Sequence, residues 1–177
     1  RIRARANHPD PVAPLVEYLE KAPSDAVARM YLAERYHTSG AAGAAETEYL
    51  RIIAENPDNV VARNNLAWLL LEKDDKTALE HAEHAYRLLP EHGAIADTYG
   101  WILARLGRAN ESIEILRKAA AAMPDNADVQ YHLGYALWQT GDRTGATARL
   151  EVALAANEDF SSRASAESLL REIKSGR

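Results

Sequence analysis

The residues of this 177-residue chain with most chemistry to offer are six histidines, three tryptophans and eight tyrosines. His81 and His84 stand three apart beside Glu80 and Glu83, so on a helix the two imidazoles would share a face, as zinc ligands do. Two imidazoles are too few for a closed site, however, and a solvated outer helix face accounts for the same residues, so no metal is expected. His37, His92 and His132 have no evident acid or nucleophile beside them in the sequence. The absence of cysteine excludes disulfides, thiolate metal sites and thiol nucleophiles. No phosphate-cradling Gly loop, HExxH or nucleophile elbow occurs, and the acidic residues are scattered. The expectation is a protein without catalytic machinery and without a cofactor.

The aromatic residues are more suggestive. Trp68, Trp101 and Tyr135 recur at intervals of 33 and 34 residues, with Asn64, Asp97 and Tyr131 four positions before them, and Trp138 follows Tyr135 on the same helical face. If consecutive helices carry them, they form an aromatic row with polar groups alongside. Such a surface suits apolar peptide side chains or the C–H faces of sugar rings. The same rings could instead fill the gaps between neighbouring helices, and both readings stay open at this point.

What must position these residues is an internal repeat. Pro23, Pro57, Pro90 and Pro124 are separated by 34, 33 and 34 residues, and three of them are followed at once by Asp58, Glu91 and Asp125. Between the prolines lie two apolar-periodic stretches joined by a short turn, so each unit is a helical hairpin. Gly40, Gly107 and Gly141 follow the first stretch of their units, where left-handed backbone ends a helix. The second unit has Lys73-Asp74-Asp75-Lys76 there and is one residue shorter, and Glu158 stands where a fifth proline is expected.

The period, the closing proline and the alternation of large and small residues resemble the tetratricopeptide repeat family. With proline at position 32, position 7 holds Leu32, Leu66, Tyr99 and Leu133, and position 8 holds Ala33, Ala67, Gly100 and Gly134. Position 20 is likewise small, with Ala45, Ala78, Ser112 and Ala146, and position 27 holds Ile52, Ala85, Ala119 and Ala153. Small residues let partner helices approach to about 8–10 Å. The resemblance implies an all-α, right-handed superhelical solenoid of helix-turn-helix hairpins. Repeats are expected over residues 26–59, 60–92, 93–126 and 127–160, after an incomplete unit over 1–25 and before a capping helix over 161–177. In that cap Ala166, Leu169, Leu170 and Ile173 share an apolar face. Asp10 and Pro11 read as the N-cap and first residue of a lone second helix ending near Ala22. Because its partner helix is missing and the chain opens at Arg1 without Met, further repeats and a targeting sequence are expected upstream.

In such a solenoid the first helices line a concave groove, which here carries Met30, Glu34 and His37, then Asn64, Trp68 and Leu71, then Asp97, Trp101 and Ala104, then Tyr131, Tyr135 and Trp138. Arg105 lies near the edge of this stripe and could pair with Asp97 or a ligand anion, though the expected role is a solvated one. The candidate partner-binding residues are Asn64, Trp68, Asp97, Trp101, Tyr131, Tyr135 and Trp138. The groove lacks the Lys with which some family members hold a chaperone's terminal carboxylate, so that mode is not expected. With 21 Lys and Arg against 26 Asp and Glu, interspersed, no nucleic-acid surface is expected, and Arg1, Arg3 and Arg5 read as a solvated end. No apolar run is long enough for a membrane span.

The runs 64–70, 97–103 and 131–137 are similar to those of bacterial tetratricopeptide lipoproteins of PEP-CTERM/exosortase systems and to scaffold proteins of exopolysaccharide export. That resemblance implies the periplasm or outer-membrane envelope, with a cytoplasmic location as the alternative. The function expected is a protein–protein interaction scaffold holding a partner segment in its groove. Direct polysaccharide binding through the aromatic row, or a spacer that self-associates, are the alternatives.

Overall fold

The computed structural model describes residues 12–73, 76–156 and 159–175. Within them the chain is all helical: α1 (Ala13–Lys21), α2 (Ala26–Thr38), α3 (Ala42–Glu55), α4 (Val60–Glu72), α5 (Ala78–Leu88), α6 (Gly93–Arg105), α7 (Ala109–Ala122), α8 (Ala127–Gln139), α9 (Arg143–Leu154) and α10 (Arg163–Ser175). The helices pair as hairpins α2–α3, α4–α5, α6–α7 and α8–α9, with α1 packed on α2 and α10 closing the far end against α9 and α8. Asp10, Pro11, the Arg1–Arg3–Arg5 cluster, Asp74, Asp75 and Glu158 lie outside the described residues. The first helix starts later than the Asp10–Pro11 signal suggests, with Val12 at its N-cap and Pro14 in its first turn. No described helix is long and apolar enough to cross a membrane.

First helices touch first helices in the next hairpin, α4 with α6, α6 with α8 and α8 with α10, whereas no second helix packs extensively on another among the described residues. The first helices therefore form the inner, shorter wall of a solenoid. Small residues permit the close contacts. A Cβ on Gly100 would come within 2.7 Å of Leu116 Cγ, and one on Gly134 within 3.1 Å of Leu150 Cγ, so glycine here lets a buried leucine of the second helix press onto the first helix's backbone. The turns after α2, α6 and α8 end on left-handed backbone at Gly40, Gly107 and Gly141, with φ of 79°, 76° and 86°. Each is closed by a bond from the next N–H back across the turn, such as Arg108 N–H to Leu103 O at 2.9 Å.

A second regularity is polar. Arg29, Arg63 and Gln130 occupy position 4 of their repeats, and each donates to the carbonyl of the preceding marker proline, Pro23, Pro57 or Pro124. Each also meets position 23 on the second helix of its own hairpin. Arg29 Nη1 lies 2.6 Å from Glu48 Oε2, Arg63 Nη1 3.3 Å from His81 Nδ1, and Arg149 Nη1 3.2 Å from Gln130 Oε1. The third repeat breaks this pattern on both sides, with Ala96 and Ile115 at the two places. Both residues belong to one apolar cluster instead.

The third repeat also lacks a capping side chain. Asp25, Asn59 and Asn126 accept from Ala28 N–H, Ala62 N–H and Val129 N–H at the starts of α2, α4 and α8, at 3.0, 3.0 and 3.1 Å. His92 has the same extended backbone (φ −82°, ψ 113°) but makes no side-chain cap. Since a good N-cap contributes about 1 kcal/mol, His92→Asn is expected to raise the stability of the array by about that amount, read as an upward shift of the urea midpoint. No change would mean that the α6 start is already satisfied by solvent.

Candidate functional site: an aromatic cavity on the inner face

The predicted aromatic residues do meet on the inner wall, in an order that sequence spacing alone did not reveal. Among the described residues no ring contact joins Trp68 to Trp101, because His132 stands between them. Its ring stacks on Trp101 at 4.2 Å and 16° and lies 6.0 Å from Trp68. Tyr131 and Tyr135 approach Trp101 edge-on at 5.7 and 5.2 Å, and Trp138 continues the series 5.8 Å beyond Tyr135.

Asp97 and His132 correct the sequence reading together. Asp97 is not free to hydrogen-bond a ligand, since both its oxygens face His132 Nδ1, at 2.9 and 3.1 Å, in a pair that is almost wholly buried. His132 thus has an acid partner, supplied from the preceding hairpin 35 positions earlier. A carboxylate oxygen accepts, so the bond is made when His132 Nδ1 carries a proton. Among the other histidines, His37 lies 3.6 Å from Glu72 and His84 2.8 Å from Asp58. His81 and His84 thus serve inter-helix contacts, and no cluster of three metal-ligating side chains occurs among the described residues.

The remaining candidates divide by burial. Trp101 and Tyr131 are each 7% exposed, whereas Trp68, Tyr135 and Trp138 are only half-buried. Trp101 carries His132 stacked on its ring and the Arg105 guanidinium over it, 5.5 Å from the centroid. The rings with surface to offer are therefore Trp68, Tyr135 and Trp138. Burial pushes the Tyr131 phenol above its ordinary pKa, and a hydrogen bond with Ser165 only partly opposes this. Asn64 is half-buried with its Oδ1 lacking a hydrogen-bond partner.

Part of this wall borders a cavity of about 380 Å³, to whose lining Asn64, Asp97 and Trp138 do not contribute. Trp68, Trp101, Tyr135 and His132 give it an aromatic side, Arg105 stands on its edge, and Ser161, Ser162 and Ser165 of the capping segment close it. Asp128 holds that segment in place, accepting from Ser161 Oγ at 2.8 Å and Ser162 N–H at 3.0 Å. Burial works against its charge, yet the bonds from Ser162 and Ser161 outweigh this and keep its carboxyl below the ordinary pKa. The cap thus does more than cover apolar surface, because it forms one wall of the cavity. Arg105 is absent from the described ion pairs, and the carboxylate named as its possible partner, Asp97, is committed to His132. The sequence reading missed the roles of His132 and the serines, whose only signal was register: His132 stands 35 positions after Asp97, and Ser161 33 after Asp128.

Comparison with known proteins places this geometry. Two tetratricopeptide repeat family models match, over residues 103–173 and 48–80, and between them span more than half of the chain. A tetratricopeptide repeat-containing protein of Pseudomonas aeruginosa is 36% identical over 85 residues, 47% of this chain and 14% of its own length. Cellulose synthase operon protein C of Pseudomonas fluorescens is 33% identical over 104 residues, 58% of this chain and 8% of its own length. The chain therefore spans only a small part of either relative. Solved structures agree on the fold. YrrB, described as having an unusual peptide-binding site, superposes with a TM-score of 0.72 at 16% identity, covering 92% of this chain and 82% of its own. The type IV pilus biogenesis factor PilW gives 0.71 at 24%, covering 84% and 71%. A thermophilic tetratricopeptide protein of Thermus thermophilus gives 0.70 at 20%, covering 89% and 87%. Recurring helical hairpins, matching repeat models and superposable solenoids converge on one conclusion: the chain belongs to the tetratricopeptide repeat family.

Proposed function

We propose that this chain is a protein–protein interaction scaffold that docks a partner segment on its inner face, with Trp68, Tyr135 and Trp138 as the contacting aromatics. Trp101, Tyr131, Asn64 and Asp97 hold the wall behind them. The observation that carries this reading is the cavity beside the half-buried rings, closed at one end by the capping segment. Tetratricopeptide repeats serve as non-catalytic interaction scaffolds, and the peptide-binding site named for YrrB supports a polypeptide as the occupant. The proposal extends to a bacterial envelope setting, within an exopolysaccharide or protein-sorting assembly. On the exopolysaccharide side, the relative named for a cellulose synthase operon supports it.

The test is affinity capture from cells that contain the natural partners, comparing the wild-type chain with the Trp68→Ala/Trp138→Ala double variant. Both substitutions act on half-buried rings, so the helical melting transition should persist. The proposal expects at least one partner to be recovered by the wild type and lost with the variant. Equal recovery of every partner by both would overturn the groove assignment.

A further inference from the structure

We propose that the aromatic cavity selects a polypeptide segment in which a side-chain carboxylate lies beside an aromatic or aliphatic anchor, with Arg105 as the specificity-determining residue. This rests on the docking reading above and adds the chemistry of the occupant. Arg105 is exposed, its guanidinium lies over Trp101 at 5.5 Å, and it enters no salt bridge or side-chain hydrogen bond among the described residues. Its cavity neighbours include no Asp, Glu or Lys. The two carboxylates nearest in the network are committed, Asp97 to His132 and Asp128 to Ser161 and Ser162.

A planar fork of N–H donors thus stands, without a salt bridge or side-chain hydrogen bond, beside an aromatic wall. Arg105 is the one Lys or Arg among the described residues that line the cavity, and its complement is a carboxylate. The electron-rich rings would otherwise welcome a cation, but Arg105 already occupies Trp101 and would repel a second positive charge. Beyond the carboxylate, the free surfaces of Trp68 and Tyr135 offer an apolar contact to the adjacent anchor. Behind them Asp97 fixes His132, which in turn stacks on Trp101 and holds the indole that carries Arg105.

A random dodecapeptide display library selected on the full chain tests this, with Arg105→Gln and Arg105→Glu selected in parallel. The wild type should enrich peptides carrying Asp or Glu within about two residues of an aromatic or aliphatic residue. For one enriched peptide, titrated by tryptophan fluorescence, Arg105→Gln should weaken binding about tenfold, which is 1.4 kcal/mol. Arg105→Glu should turn the preference toward Lys and Arg. Anchors enriched without charge preference, or an acidic preference that survives Arg105→Glu, would overturn the role of Arg105 and leave the docking reading standing. Failure to enrich any peptide whose binding needs Trp68 would remove the docking reading and this inference with it. Binding of a uronic-acid oligosaccharide in place of every peptide would show that the carboxylate belongs to a glycan and would overturn the choice of polypeptide.

Discussion

Trp101→Ala is expected to cost about 3–5 kcal/mol, the usual loss for truncating a core Trp. The indole is buried against His132, Tyr131 and Tyr135, and its removal would leave the stacked imidazole and both phenol edges facing a void. Trp138→Ala, on a half-buried ring further along the same wall, should cost roughly 1–2 kcal/mol, between the core and surface ranges. Urea denaturation followed by far-UV circular dichroism checks both. The contrast matters because the two rings looked alike as members of one inner stripe. A loss for Trp101→Ala as small as that for Trp138→Ala would mean that the indole is a contact surface and not a structural clamp.

The second large effect concerns the pair beneath the first hairpin. Glu48→Ala should cost about 3–5 kcal/mol, because it leaves the buried Arg29 guanidinium without its carboxylate. Arg29 Nε already lacks a partner, and the Pro23 carbonyl that remains bears no charge to offset the guanidinium. The third repeat shows another solution at the same two positions, the apolar Ala96 and Ile115. Accordingly, Arg29→Leu/Glu48→Ile should recover most of the loss, since an apolar pair of similar volume avoids the desolvation of two charges. Thermal melts of the single and double variants form the test. A double variant as unstable as Glu48→Ala would show that the ion pair carries specific stability that apolar packing cannot replace.

The fold was legible because its signal repeats. Four prolines in register, small residues at positions 8 and 20, and glycines at three turns each state the same hairpin again, so a single irregularity, such as the short second unit, does not hide it. The inner stripe was legible for the same reason, and Trp68, Trp101 and Tyr135 do lie on one wall. What spacing could not convey was burial within that wall. Trp101 and Trp68 share a repeat position, yet His132 of the following helix covers one more than the other. The Trp101–His132 contact joins residues 31 apart, three short of a full repeat, a register set by how far neighbouring hairpins rotate and not by any residue's own helix. Asp97 was misread for the same reason: as a surface acid at a groove position it looks available, and only the three-dimensional register brings His132 Nδ1 to 2.9 Å from it. The tether from position 4 to the marker proline escaped notice because Arg29, Arg63 and Gln130 share hydrogen-bonding capacity but not residue type.

One indole holding the wall while two others face a partner is a division of roles that fluorine NMR of the 5-fluorotryptophan-labelled protein reads out. Three resonances are expected, assigned by single replacement. Those of Trp68 and Trp138 should broaden with a soluble paramagnetic probe and shift when an enriched acidic peptide is added, while that of Trp101 stays protected from the probe. A Trp101 resonance as accessible as the other two, or Trp68 and Trp138 resonances that no bound segment moves, would contradict it.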